Sequence, residues 1–414
     1  MVRQGAGAGL ETARRLRPAH LLPRLGLTVL SFAVVLAVLE GATRLFSHVV
    51  PPLICNDPVV GTRYLPDFSG WVYVPECDRD VLLSFNHDGL RGPDFAVEKS
   101  PGVYRVAVVG DSMIAAVATD EDKTLVRQLE KRLNANPAGT RYEVMNFGIS
   151  GSSTGQELVL YHEIVRKYRP DIVVCAFCVA NDLGDNCTGL TSNRGRIYFD
   201  VDDEGRLEPL PFSPGRARLT SWLNRYSRFY VWQKSATQLA INAVRTGALA
   251  MAAKVGHDVA PLESGGLGIF CTAPGDTLNH AWLITDKLVE RMSHEVHDDG
   301  AEFYLAVLPA GWQVCDDIWT RTIENAGGAP MSIAYPDEKL SEIGTRAQAE
   351  VVLMTDMFRA AAPHHAIDYE DELLHYDGLG HFNDRGNDVA AAAIYQAIAG
   401  RGERVTKTAS VPAR

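Results

Sequence analysis

Short, mostly apolar runs alternate with helix-patterned segments through much of this chain, and that rhythm limits the fold more than any other feature. A run over 105–109 is followed by TLVRQLEKRL at 124–133, where Leu125, Leu129 and Leu133 recur every four residues. A second run over 142–147 precedes a helical pattern over 154–168 that Pro170 closes, and a third run covers 171–179. Strands this apolar have no face to spare for water. They belong in a parallel sheet with helices packed on both sides. The rhythm returns with a helix over 278–297, a strand over 302–308 and a helix beginning near Asp384.

Two stretches depart from it. Residues 47–100 are rich in proline, glycine and aromatics, with turn signals at Pro51-Pro52 and in NHDGLRGPD at 86–94. They read as short strands and loops. Residues 190–275 carry a charged loop, FDVDDEGRLEP, then an Ala-rich helical run from about Ser235 to Val255. They read as an insertion in the main domain, placed to act as a lid. The expected organisation is a tail over 1–24, an apolar anchor over 25–46, a strand and loop segment over 47–100, an α/β domain over 101–400 and a polar tail over 401–414.

The anchor is LGLTVLSFAVVLAVL, from Leu25 to Leu39, without a charge. Leu25 to Phe46 is long enough for a hydrocarbon core of about 30 Å at about 1.5 Å per residue. Glu40 and Arg44 follow one turn apart, where they can pair. Five arginines precede the run, and Glu40 fits poorly at a signal-peptidase site. The expectation is a single-pass helix in the cell membrane with residues 1–24 cytoplasmic and everything after about 46 outside, in the periplasm. The whole chain carries −11; the first 24 residues hold +4, leaving −15 on the rest. A surface that acidic repels phosphate backbones, so no nucleic-acid partner is expected.

Seven cysteines are an odd number for an exported domain. Cys55 and Cys77 flank one loop-rich stretch and could bridge. Cys175 and Cys178 make a CxxC, but they sit in a strand, where positions i and i+3 face opposite sides, and so read as core residues. His364, His365, Asp371, His375 and His381 crowd one C-terminal stretch without helical HxxxH spacing. No metal and no cofactor is expected.

In an open parallel sheet, ligands bind beyond the carboxyl ends of the strands. Polar residues gather at three such ends: Gly110-Asp111-Ser112 after 105–109, Asn146 to Gly151 after 142–147, and Asn181-Asp182 after 171–179. A fourth group, Asp377-Gly-Leu-Gly-His381-Phe-Asn383, stands just before the last helix. A strand-end hydroxyl and a loop histidine are the parts of a nucleophile and its base. Each group alone is an ordinary turn, loop or cap.

Taken together, in this order, the four groups resemble the blocks of the SGNH/GDSL hydrolase superfamily, and the anchor and NHDGLRG stretch resemble its membrane-anchored bacterial members. The match covers about 104–187 and 300–400. The resemblance implies a three-layer α/β/α flavodoxin-like fold. It implies Ser112 as nucleophile and His381 as base. It also implies an oxyanion hole from the Ser112 N–H, the Gly151 N–H and the Asn181 side chain. The family's acid usually stands two or three residues before the histidine, where this chain has Leu379 and Gly378. Asp377, four before, is the expected acid, with Asp371 as a fallback. Ala116 stands where the family often has glycine.

The function expected is an extracytoplasmic, membrane-anchored esterase acting on acyl or acetyl esters of envelope carbohydrate or lipid through an acyl-enzyme. The same residues would serve an O-acyltransferase with a sugar hydroxyl as acceptor. A catalytically silent carbohydrate-binding protein is the third reading, prompted by the irregular acid spacing.

Overall fold

The computed structural model describes residues 21–46, 53–135, 140–193, 195–212, 217–234, 236–237, 266–324 and 329–409. Its centre is a five-stranded parallel sheet of β5 (Val103–Gly110), β6 (Arg141–Gly148), β7 (Ile172–Cys178), β10 (Glu302–Leu308) and β11 (Glu350–Leu353). The spatial order is β11-β10-β7-β5-β6, so the chain starts near the middle, steps outward to β6 and returns across β5. Strand order reverses at β5, and β5, β6 and β7 all end at the same edge.

Alternation along the strands divides the core in two. Ala107, Val109, Val173, Cys175 and Phe177 face the helices α4 (Thr154–Glu163), α8 (Asp276–Asp298) and α11 (Tyr335–Arg346). Val106, Val108, Val174, Ala176 and Cys178 face α3 (Leu125–Asn134), α12 (Thr355–Ala361) and α13 (Asp384–Ala409). Cys175 and Cys178 thus lie on opposite faces, both buried as free thiols, as a strand's period of two requires. The α/β fold with helices on both faces is therefore the one the apolar runs demand.

A smaller layer precedes the sheet. Antiparallel pairs β1 (Ile54–Asp57) with β2 (Gly61–Tyr64), and β3 (Phe68–Val74) with β4 (Arg79–Phe85), bury Tyr64, Val72, Val81, Leu83 and Phe85 against Ala115. Cys55 and Cys77 do not bridge. Both are free thiols, directed at the Tyr64 and Val74 carbonyls.

Further differences from the sequence reading concern the ends and the insertion. β11 and the short helices between 309 and 361 carry no long periodic pattern and emerge only in the fold. The expected tail from 401 begins as helix, since α13 runs on to Ala409. Beyond α5 (Asp182–Asn186), the described parts of 190–275 include a small hairpin, β8 (Phe199–Val201) with β9 (Leu207–Pro209), two helices, α6 (Ala217–Tyr226) and α7 (228–234), and a short helical turn, Gly266–Phe270. The Ala-rich run expected as helix from about 235 to 255 lies almost wholly outside the described residues. α1 (Leu21–Phe46) is exposed from Pro23 to Leu39, and Pro23–Phe46 is long and apolar enough to cross a membrane or to serve as a signal sequence.

Candidate active site

Ser112 begins α2 (Ser112–Ala115), two residues past the end of β5. Asp111 caps this turn, its Oδ1 accepting the Met113 N–H at 2.8 Å. The turn must then reverse quickly. Ala116 ends it at φ +46°, the left-handed region glycine adopts freely. Arg91, from the NHDGLRG stretch, supports that strained exit. It is fully buried, donates to the carbonyls of Ala115, Ala116 and Thr119, and pairs with Glu121 at 3.0 Å. A buried guanidinium costs too much to leave unpaired; here the three carbonyls take its terminal N–H groups and the Glu121 carboxylate balances its charge.

The neighbouring strand end crosses close by. Gly148 lies where a Cβ would sit 2.3 Å from the Ala115 nitrogen, so only glycine lets β6 pass under α2. Asn146 ties the two together, donating to the Ile114 carbonyl at 2.8 Å and accepting the Gly148 N–H at 2.9 Å. Gly151 follows at φ +77°, exposed, with nothing within 4 Å of its Cβ direction. Backbone conformation, not crowding, calls for glycine there. Its carbonyl is gripped by Arg196, whose Nε and Nη2 donate at 3.2 and 3.0 Å.

His381 comes from a tight turn between His375 and Phe382, closed by Tyr376 N–H to the His381 carbonyl at 2.9 Å and Gly380 N–H to the Tyr376 carbonyl at 2.7 Å. Its Nε2 lies 2.7 Å from Ser112 Oγ. Its Nδ1 lies 2.6 Å from Glu76 Oε2, and its backbone N–H donates to Glu76 Oε1 at 2.7 Å. Hydroxyl, imidazole and carboxylate therefore form a continuous chain of hydrogen bonds.

The carboxylate is not one the sequence pointed to. Asp377 sits exposed at the crown of the turn, at φ +50°, and does not meet His381. Asp371 is also exposed, and its carbonyl accepts from Arg385. Glu76 lies in a single helical turn, Pro75–Cys77, linking β3 to β4, about three hundred residues upstream. No spacing rule connects it to a histidine so far away. Gly380 leaves no room for a side chain, because a Cβ there would stand 2.4 Å from Glu76 Oε1.

The electrostatics are mutual. The hydrogen bond that the His381 imidazole donates to Glu76 raises its pKa above the ordinary value despite partial burial. Burial alone would raise the Glu76 carboxyl, but its bonds to the His381 ring and backbone hold it below the usual range. Below the site, burial pushes up the carboxyls of Asp111 and Asp182, and that of Glu157 to about 8 with the Asp111 charge adding. Asn181 Nδ2 stands 3.1 to 3.2 Å from carboxyl oxygens of Asp111, Asp182 and Asp185. One nitrogen with two hydrogens cannot serve all three, so a stronger acceptor arriving there displaces a partner. Arg196 closes the network, pairing with Asp185 at 2.6 Å while holding Gly151.

Ser112, Gly151, Asn181 and His381 thus gather at one sheet edge. The other histidines of the C-terminal stretch are spent elsewhere. His364 pairs with Glu372, His365 with Arg359 and Asp316, and buried His375 donates Nε2–H to the Pro309 carbonyl, burial lowering it to about 4. Among the described residues, no group of three or more His, Cys, Asp or Glu could hold a metal.

No family model matches the chain, and no curated protein does. Solved structures with a likeness include an acetyl xylan esterase, at 13% identity over 71% of this chain and 99% of the other, with a TM-score of 0.38. A lipase/acylhydrolase from Enterococcus faecalis follows at 16% identity, over 72% and 96%, with a TM-score of 0.36. A catalytic mutant of an acetylxylan esterase from Geobacillus stearothermophilus shares 13%, over 73% and 96%, with a TM-score of 0.38. At such identities and TM-scores these likenesses do not say what this chain acts on.

Proposed function

We propose that the chain is a serine ester hydrolase of the SGNH/GDSL type, anchored by α1 with its α/β domain outside the cytoplasm. Its substrates would be acyl or acetyl esters of envelope carbohydrate or lipid. The observation that carries this reading is the relay Ser112 Oγ, His381 Nε2, His381 Nδ1, Glu76 Oε2, with gaps of 2.7 and 2.6 Å. A hydroxyl is a weak nucleophile until its proton has somewhere to go. His381 Nε2 takes that proton as Ser112 Oγ bonds to the ester carbonyl carbon. Glu76 fixes the ring's tautomer and balances the imidazolium.

The carbonyl oxygen becomes an oxyanion. The Ser112 and Gly151 N–H groups and the Asn181 amide receive it, Asn181 exchanging a carboxyl partner for it. A donor of this kind contributes about 3 kcal/mol, or roughly 10²-fold in rate. Collapse of the intermediate breaks the ester C–O bond, and His381 gives its proton to the leaving alcohol. Water then attacks the Ser112 acyl ester, with His381 again as base, and the acid leaves. A carboxylate at His381 removes the motive for reading the protein as a silent binder.

The test is fluorophosphonate labelling of the full-length protein, with turnover of p-nitrophenyl esters from acetyl to palmitoyl. Labelling and turnover should both vanish in Ser112→Ala while its thermal unfolding is unchanged. A variant that still labels would place the nucleophile elsewhere. An acyl group passed to an added sugar faster than to water would assign transfer in place of hydrolysis.

A further inference from the structure

The two charges that end the apolar run of α1 do not face solvent alone. Glu40 accepts Ser227 Oγ–H at 2.9 Å, Arg228 N–H at 2.9 Å and Phe229 N–H at 3.1 Å. Those are the first groups of α7, so Glu40 caps a helix nearly two hundred residues away. Arg44 pairs with Glu40 at 2.7 Å and donates Nη2–H to the Tyr226 carbonyl at 2.9 Å, at the end of α6. The α6–α7 corner is therefore clamped to α1 one turn beyond Leu39, where the uncharged run stops.

The faces of this corner differ in kind. α6 packs on β1 through the side carrying Thr220 and Asn224; Thr220 Oγ1 lies 3.3 Å from Asn56 Nδ2, and Asn224 is buried. Leu219, Trp222 and Tyr226, at i, i+3 and i+7, share the opposite side and are 63%, 57% and 53% exposed. Trp222 and Tyr226 rings meet at 5.7 Å, and on α7 Phe229 stacks with Trp232, itself 46% exposed. Large aromatics with one polar atom are the side chains that settle at a membrane–water boundary. Exposed rings gathered in pairs on two adjoining helices need a partner in a way scattered residues do not.

We propose that this face of α6 and α7 lies in the headgroup region of the bilayer that α1 crosses, so that the α/β domain is seated on the membrane at two places and in one orientation. The occupant is lipid, not a second protein, because the clamp holds the face beside the exit of the apolar helix. This rests on α1 being a membrane span. Interfacial seating of this kind needs an apolar-aromatic helix face rather than a spanning length, and α6 has ten residues.

Full-length protein in nanodiscs tests it, with phosphatidylcholine brominated near the top of its acyl chains against the unbrominated lipid. Bromine should quench the wild-type tryptophan fluorescence, and Trp222→Phe/Trp232→Phe should lose most of that quenching. Trp71, exposed on β3, remains in both as a reference. Equal quenching in the double variant, or none in a wild type that resists alkaline extraction, would overturn the seating and leave the anchor intact. Protein released by alkali would remove the anchor, and the seating with it.

Discussion

Two segments of this chain each carry an acid toward His381, and they differ in everything but charge. The turn over 376–380 holds Asp377 four residues away in sequence, yet projects it outward on left-handed backbone. The link between β3 and β4 holds Glu76 far off in sequence, yet delivers both its oxygens to His381. The difference lies in what fixes each segment. The turn is closed by its own backbone bonds, which pin Asp377 to the crown. The link is carried on a hairpin whose inner face packs against Ala115, in the same short helix as Ser112. Ser112 and Glu76 are thus placed by one hydrophobic cluster, while the turn places only His381 between them.

The comparison can be broken most decisively at His381, which both segments serve. His381→Ala should lower the chemical step by roughly 10³-fold or more, measured as kcat on an activated ester. Glu76→Gln comes next, at roughly 10²-fold or more, with a pH signature. The working base is neutral imidazole, and Glu76 raises its pKa, so wild-type activity should climb with pH through a value above the ordinary imidazole range. Loss of the carboxylate lowers that pKa, so the acid limb of the kcat profile should move to lower pH as the plateau drops. A limb that stays in place would detach Glu76 from the base.

Gly380→Ala sharpens the contrast, because it alters the turn but acts through the upstream acid. The new methyl would crowd Glu76 Oε1 from 2.4 Å, and the carboxylate must give way. A loss of about tenfold in kcat with little change in KM is expected. Asp377→Asn should change kcat by less than about twofold, since an exposed crown residue touches none of the reacting groups. A loss there comparable to that of Glu76→Gln would reverse the assignment of the two acids.

The strands were legible because burial on both faces writes itself as unbroken apolar residues, and β10 falls at 302–308 as its pattern indicates. Ser112, Gly151 and Asn181 were legible because strand ends punctuate such runs with glycine and polar residues. Arg91 was visible only as part of a stretch. Nothing in NHDGLRG says that its guanidinium will hold the carbonyls that follow Ser112. Four-residue β11 was too short for its period to stand out.

Features readable from neighbouring residues are local ones. A hydrophobic period fixes which face of a strand or helix is buried, and a glycine or cap residue fixes where an element ends, because both act over a few neighbouring residues. The acid at His381 and the cap on α7 belong to tertiary structure alone. Each is a carboxylate whose partners lie about two to three hundred residues away in the chain. Only the packing of separate elements decides which buried or half-buried donors a carboxylate will meet. Its charge demands that some donor be met, but no residue beside it in sequence says which one.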